Sequence, residues 1–199
     1  AIGVTALGTL QGTSSNDVLI TGSISDTLSA LYDANNAGDA DSQGLRAAAL
    51  NTAIAADNDV TVIVPYDEDT DNKITSDDFA KLNAIAGHGD HTGNIQATVI
   101  GSASDINDDL GNLGANDVIK FTVTGTSDWE ALQAIDLKTD QRITVQAMED
   151  TYTNMYTNMA NDNDFAHGDM DATVVENEAI NKEKYDNLVN TFGDVSFTK

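Results

Sequence analysis

Cysteine is absent from this chain of 199 residues. Neither a disulfide nor a thiolate metal site is available, which excludes zinc ribbons and similar cysteine-held modules. Positive charge is scarce as well: 9 Lys and Arg stand against 33 Asp and Glu, a formal net charge of −24. The long-range field of such a chain repels nucleic acid and anionic membranes, so cations are the expected counter-charges. Glutamate is under-used, with 27 Asp to 6 Glu. Short Asp side chains suit turns and oxygen-ligand loops better than helix surfaces. No stretch approaches the roughly 20 apolar residues of a membrane span. The chain opens at "AIGVTALGTL" with neither a basic leader nor a methionine, the pattern expected of a mature or processed chain.

What is present is enough apolar content, 40%, to bury a core. The expectation is one domain over residues 1–199, as a single body or as two intertwined lobes at about 1–93 and 94–199. The uncharged opening "AIGVTALGTLQGTSS" reads as extended segments. Helical spacing follows at about 25–35 and 42–56, then a strand at 60–64, an acidic loop, a short helix "DDFAKLNAIA" and the turn-rich "GHGDHTGN". The second half alternates strand "IQATVI", a helix near 104–110, strand "VIKFTV", helix "SDWEALQAI" and a longer helix at 145–160. An acidic turn, a helix at 176–191 and a final strand "DVSFT" end the chain. The fold class is α+β: mixed strands and short helices around one calcium loop with a degenerate second copy.

Two internal echoes bear on organisation. Asn-Asp-Val opens "NDVLI", "NDVTVIV" and "NDVIKFTV", which an Asx turn feeding each strand explains locally. "DEDTDNKIT" at 67–75 and "DLKTDQRIT" at 136–144 share Asp, Thr-Asp and Ile-Thr in register, the mark of an ancient repeat.

The first of these segments has a ligand pattern. A calcium loop of the EF-hand type places oxygen ligands at its first, third and fifth positions, a carbonyl at the seventh, a ligand or water at the ninth and a carboxylate at the twelfth. Asp67, Asp69, Asp71, the Lys73 carbonyl, Thr75 and Asp78 occupy those places. Ile74 supplies the apolar anchor at the eighth and Asn72 tolerates the left-handed sixth. Repulsion among the acids then becomes attraction for a divalent ion. "YDEDTDNKITSDDFAKLNAIAG" resembles the bacterial EF-hand and dockerin-type calcium repeat, in which such a loop leads into one helix. The resemblance covers residues 66–87 and implies bound Ca2+, with Phe79, Leu82 and Ile85 facing the core. A strand with Pro65 stands where a full EF-hand has its entering helix, so only calcium binding carries over, not cohesin binding. In the second segment Lys138 and Ala147 replace ligands, and its expected role is scaffolding, with Ile143 set beside Ile74 in a β-bridge.

Other clusters are weaker. "GTSSNDVLITGS" is similar to the start of a secreted nonapeptide calcium repeat, but Ser15 and Thr21 replace expected glycines and there is one copy, so it reads as a strand and turn. Asp162, Asp164, Asp169, Asp171 and Glu176 fit either an irregular second metal site or a solvated turn capping the next helix. His88 and His91 with Asp90, and His167 near Asp169, invite a transition metal, against which stands a glycine-rich loop with nothing to fix their spacing. Trp129, Tyr152, Tyr156, Met148, Met155 and Met159 recur at helical spacing and read as core or subunit contact.

Catalytic signatures are lacking, with no nucleophile elbow, phosphate-cradling loop or metalloprotease helix. Three classes are therefore weighed. The leading one is a non-enzymatic, calcium-binding extracellular or cell-surface structural protein that assembles with itself into a layer, filament or adhesive coat. The second is a calcium-dependent binding module or virion surface protein recognising a protein or glycan. The third is a secreted hydrolase with structural calcium.

Overall fold

The computed structural model describes residues 3, 6, 23–36, 61–64, 74–86, 95–113, 117–166, 170–175 and 180–198. Their organisation follows from alternating apolar positions. In β3 (Ile95–Ser102), Ile95, Ala97 and Val99 are buried while Gln96, Thr98 and Ile100 are half-exposed. β4 (Val118–Ser127) buries Ile119, Phe121 and Val123, and β5 (Ile143–Asp150) buries Ile143, Val145 and Met148. A period of two with one face dry is the signature of a sheet covered on one side.

Together with β1 (Ser23–Ser25), β2 (Thr61–Ile63), β7 (Asp171–Val175) and β8 (Val195–Thr198), these strands form one sheet in the order β1-β2-β3-β4-β5-β7-β8. The short β6 (Phe165–Ala166) pairs the first residues of β5, just ahead of β7. Among the described residues every pairing is parallel. Spatial order thus follows chain order, and strand starts at Ile95, Val118, Ile143, Asp171 and Val195 recur at a spacing of roughly 25 residues, as in a solenoid of strand-helix units. Helices and strands are mixed as expected, and the arrangement is a mainly parallel sheet.

The helices are cut to fit the buried face. α1 (Leu28–Asn36), α2 (Phe79–Ala86), α3 (Ala103–Asp109) and α4 (Trp129–Asp136) pack in that order, each on the next. Ser102 caps α3 by accepting from Asp105 N–H at 3.1 Å, and Asp128 caps α4 by accepting from Ala131 N–H at 2.8 Å. Trp129, Leu132 and Ile135 give α4 a buried stripe at helical spacing. α5 (Lys182–Phe192) starts on an Asn181 cap and stops at Gly193, whose φ of 77° favours glycine. Gly125, with φ 71°, sits in the register shift of β4, where its N–H donates to Gln146 Oε1 at 2.9 Å.

Three expectations need correction. Residues 145–160 are not one helix: β5 runs to Asp150 and is followed by a wide π-type turn at Thr153–Asn158 and a tight one at Met159–Asn161. The methionine spacing belongs to the core, because Met148, Met155 and Met159 are all fully buried. Within the acidic turn after residue 160 the chain makes β6 and β7. The third concerns Ile74, which bridges Val99 of β3 rather than Ile143; the latter lies in β5 with β4 between. The opening segment, apart from residues 3 and 6, and the helix expected at 42–56 lie outside the described residues.

The echo of Asn-Asp-Val also has a non-local cause. Asp117, in the copy that opens β4, is buried, and its Oδ1 accepts the N–H of Ile95, the first residue of β3, at 3.0 Å. The same device recurs along the row. Thr139 Oγ1 donates to Ile119 C=O at 2.5 Å, and Asp150 Oδ2 accepts from Trp129 N–H at 2.8 Å. Asn107 Nδ2 donates to Ala131 C=O at 3.0 Å. Side chains of one unit satisfy backbone groups of its neighbour, so the units are riveted in register.

Candidate metal centre

The strand line next to β3 is interrupted. Val64 N–H donates to Gln96 C=O at 2.9 Å; the line resumes at Ile74, whose N–H donates to Thr98 C=O at 3.2 Å and whose C=O accepts from Ile100 N–H at 2.8 Å. The chain therefore leaves and rejoins β3 at carbonyls two residues apart. Asp67, Asp69, Asp71 and Lys73 lie in the intervening stretch, outside the described residues. Ile74 is buried, and a tight turn at Ser76–Asp78 leads into α2, where Phe79, Leu82 and Ile85 all face the core. Thr75 is exposed. Asp78 Oδ1 forms an ion pair with Lys81 at 2.8 Å.

The turn that precedes β6 builds the acidic cluster that the described residues do bring together. Asp136 is the last residue of α4. Asp162 and Asp164 follow the turn at Met159–Asn161, where Asp162 Oδ1 accepts from Asp164 N–H at 3.0 Å. The pairing of β6 with β5 draws this turn to the end of α4, and Asp164 C=O accepts from Ile143 N–H at 2.6 Å. One carboxylate oxygen from each of Asp136, Asp162 and Asp164 lies within 4.8 Å of the others. The Lys138 ammonium donates instead to Leu110 C=O at 3.1 Å, and burial lowers its pKa. Burial first, and then the charges of Asp164, Asp162 and Asp140, push the Asp136 carboxyl above the usual carboxylate range.

Sequence reasoning grouped Asp162 and Asp164 but set Asp136 in a scaffolding segment. The available signal was its place as the first residue of the second echo. Asp171 opens β7 and is not in the cluster, whereas Asp169, Glu176, His88, His91 and His167 lie outside the described residues.

A measurable consequence follows from the sign of the Asp136 shift. A carboxyl with a raised folded pKa favours the fold while protonated, and that contribution is lost as pH rises through the raised value. Asp136→Asn is therefore expected to stabilise the cation-free protein at neutral pH by under about 1 kcal/mol, since the site is solvent-screened. The gain should vanish below the usual carboxylate range. Urea midpoints for both proteins at pH 7 and pH 3 with chelator check this; a variant less stable at pH 7 refutes it.

Among the described residues no helix is long and apolar enough to cross a membrane. Comparison of the chain with known protein families, with curated proteins and with solved structures finds no match.

Proposed function

We propose that the protein is a calcium-stabilised structural protein of the cell surface or extracellular space that assembles with copies of itself and performs no catalysis. The observation that carries this reading is the convergence of Asp136, Asp162 and Asp164. Three carboxylates at such range repel one another, and a hard cation with oxygen ligands relieves the repulsion. The EF-hand-like loop with Asp67, Asp69, Asp71, Lys73, Thr75 and Asp78 is the other calcium site of the reading. It is supported by the burial of Ile74 and by the helix that follows, the two features its anchor position and exiting segment call for. Assembly is supported by the architecture: β8 ends the strand order and pairs only β7 among the described residues, and an unpaired edge is a template for another strand.

Calcium is then expected to raise the melting temperature by mass action, at about 2–4 °C per kcal/mol of linkage, and magnesium to do so less. Scanning calorimetry with calcium, magnesium and chelator measures this. Asp162→Asn with Asp164→Asn, and separately Asp69→Ala with Asp71→Ala, should each remove part of the shift. Light scattering in the same solutions should report larger particles with calcium. An unchanged melting shift in both double variants rejects the sites, and a monomer at all calcium levels rejects assembly.

A further inference from the structure

The sheet face turned away from the helices holds an arrangement that neither calcium site explains. Gln96, Thr98, Lys120, Thr122, Arg142 and Thr144 line a cavity of about 560 Å³ across β3, β4 and β5, within the size range of small-ligand sites. Two of the chain's nine basic residues stand here. Thr122 pairs Thr144 in register, so Lys120 and Arg142, each two residues earlier, are neighbours on one row. Like charges on adjacent strands destabilise a sheet. With 33 acids available, a surface cation could easily be given a carboxylate. Yet Lys120 makes no ion pair or hydrogen bond among the described residues. Arg142 donates Nε to Phe165 C=O at 3.1 Å, which steadies the guanidinium, while among the described residues its outer nitrogens have no partner and can meet an anion.

Around this pair the polar groups are hydroxyl and amide, and Val64, Ala97, Val118 and Phe121 add apolar surface to the lining. Thr98, Thr122 and Thr144 each offer one donor and acceptor oxygen, and Gln96 offers both kinds in one group. A bare anion uses donors only, whereas a ring of hydroxyls uses both. The overall charge of −24 repels polyanions, so the fitting ligand carries one negative charge.

We propose that this cavity binds a monoanionic sugar, with the carboxylate of a hexuronic acid unit between Lys120 and Arg142 and its hydroxyls on Thr98, Thr122, Thr144 and Gln96. Arg142 is held by Phe165, the residue after Asp164 of the acidic triad, so binding is measured on the full chain both in chelator and with calcium.

Titration calorimetry with glucuronate, glucose, acetate and sulfate decides the matter. Glucuronate should bind saturably, with glucose, acetate and sulfate each at least about tenfold weaker, since each lacks one half of the recognition. Lys120→Met should weaken glucuronate by about tenfold, the scale of one charge-assisted hydrogen bond, and Thr122→Val by a smaller factor. Both positions lie on the open face, and an unchanged melting temperature verifies that the fold is intact. Absence of saturable binding, equal affinity for sulfate and glucuronate, or undiminished binding by Lys120→Met overturns the proposal.

Discussion

Truncating Phe79 to alanine is expected to lower stability by about 3–5 kcal/mol. Phe79 is fully buried at the start of α2, the helix that follows the acidic loop. It reaches the sheet because Gly101 in β3 has no side chain: a Cβ there would lie 2.8 Å from the Phe79 ring tip. The ring fills the space that the glycine leaves, so the two positions are coupled. Gly101→Ala alone forces the buried ring to shift and should cost about 1–3 kcal/mol. Gly101→Ala combined with Phe79→Leu should cost less than the sum of the single changes. Urea unfolding of the four proteins reads the cycle, and strict additivity would show that the ring and the glycine are not in contact.

Asp117→Ala is expected to cost about 1–3 kcal/mol, out of proportion to the few atoms removed. Its carboxylate accepts the Ile95 N–H, and Ile95 is wholly buried. Removal leaves a backbone donor with no water to replace the lost partner. Asp117→Asn keeps an acceptor oxygen and should retain most of the stability. The pair is compared by urea midpoints and by hydrogen exchange at Ile95, whose amide should exchange faster in the alanine variant alone. Equal protection in both variants would contradict the assigned bond.

The strands "IQATVI" and "VIKFTV" were legible because β-branched residues alternate with polar ones, and α4 was legible from a cap followed by a buried stripe. β5 was not: Met148, Met155 and Met159 keep a helical spacing, and only the neighbouring strands reveal that Met148 belongs to one element and the other two to the next. β7 carries only Ala172 and Val174 as its buried side chains, too few to stand out from the acidic run around them. The acidic triad is hidden for a different reason. Asp136 meets Asp162 and Asp164 through the pairing of β6 with β5, a long-range event with no local signature. Asp117 shows the same limit, since its partner lies 22 residues away and the repeated tripeptide looks equally well suited to a local turn.

The strand order without reversal has a consequence for how the molecule comes into being. In a sheet that doubles back, a later strand must find the far edge of a structure already half built. Here each of the main strands from β2 to β8 docks on the free edge left by its predecessor. From β3 onward each docking step closes a connection of similar length, so the chain entropy lost per step is nearly constant. Assembly can thus proceed in the order of synthesis, with no early segment waiting for a late one. The cooperative element of such a molecule is the junction between neighbours, and Asp117, Thr139 and Asp150 stand at those junctions.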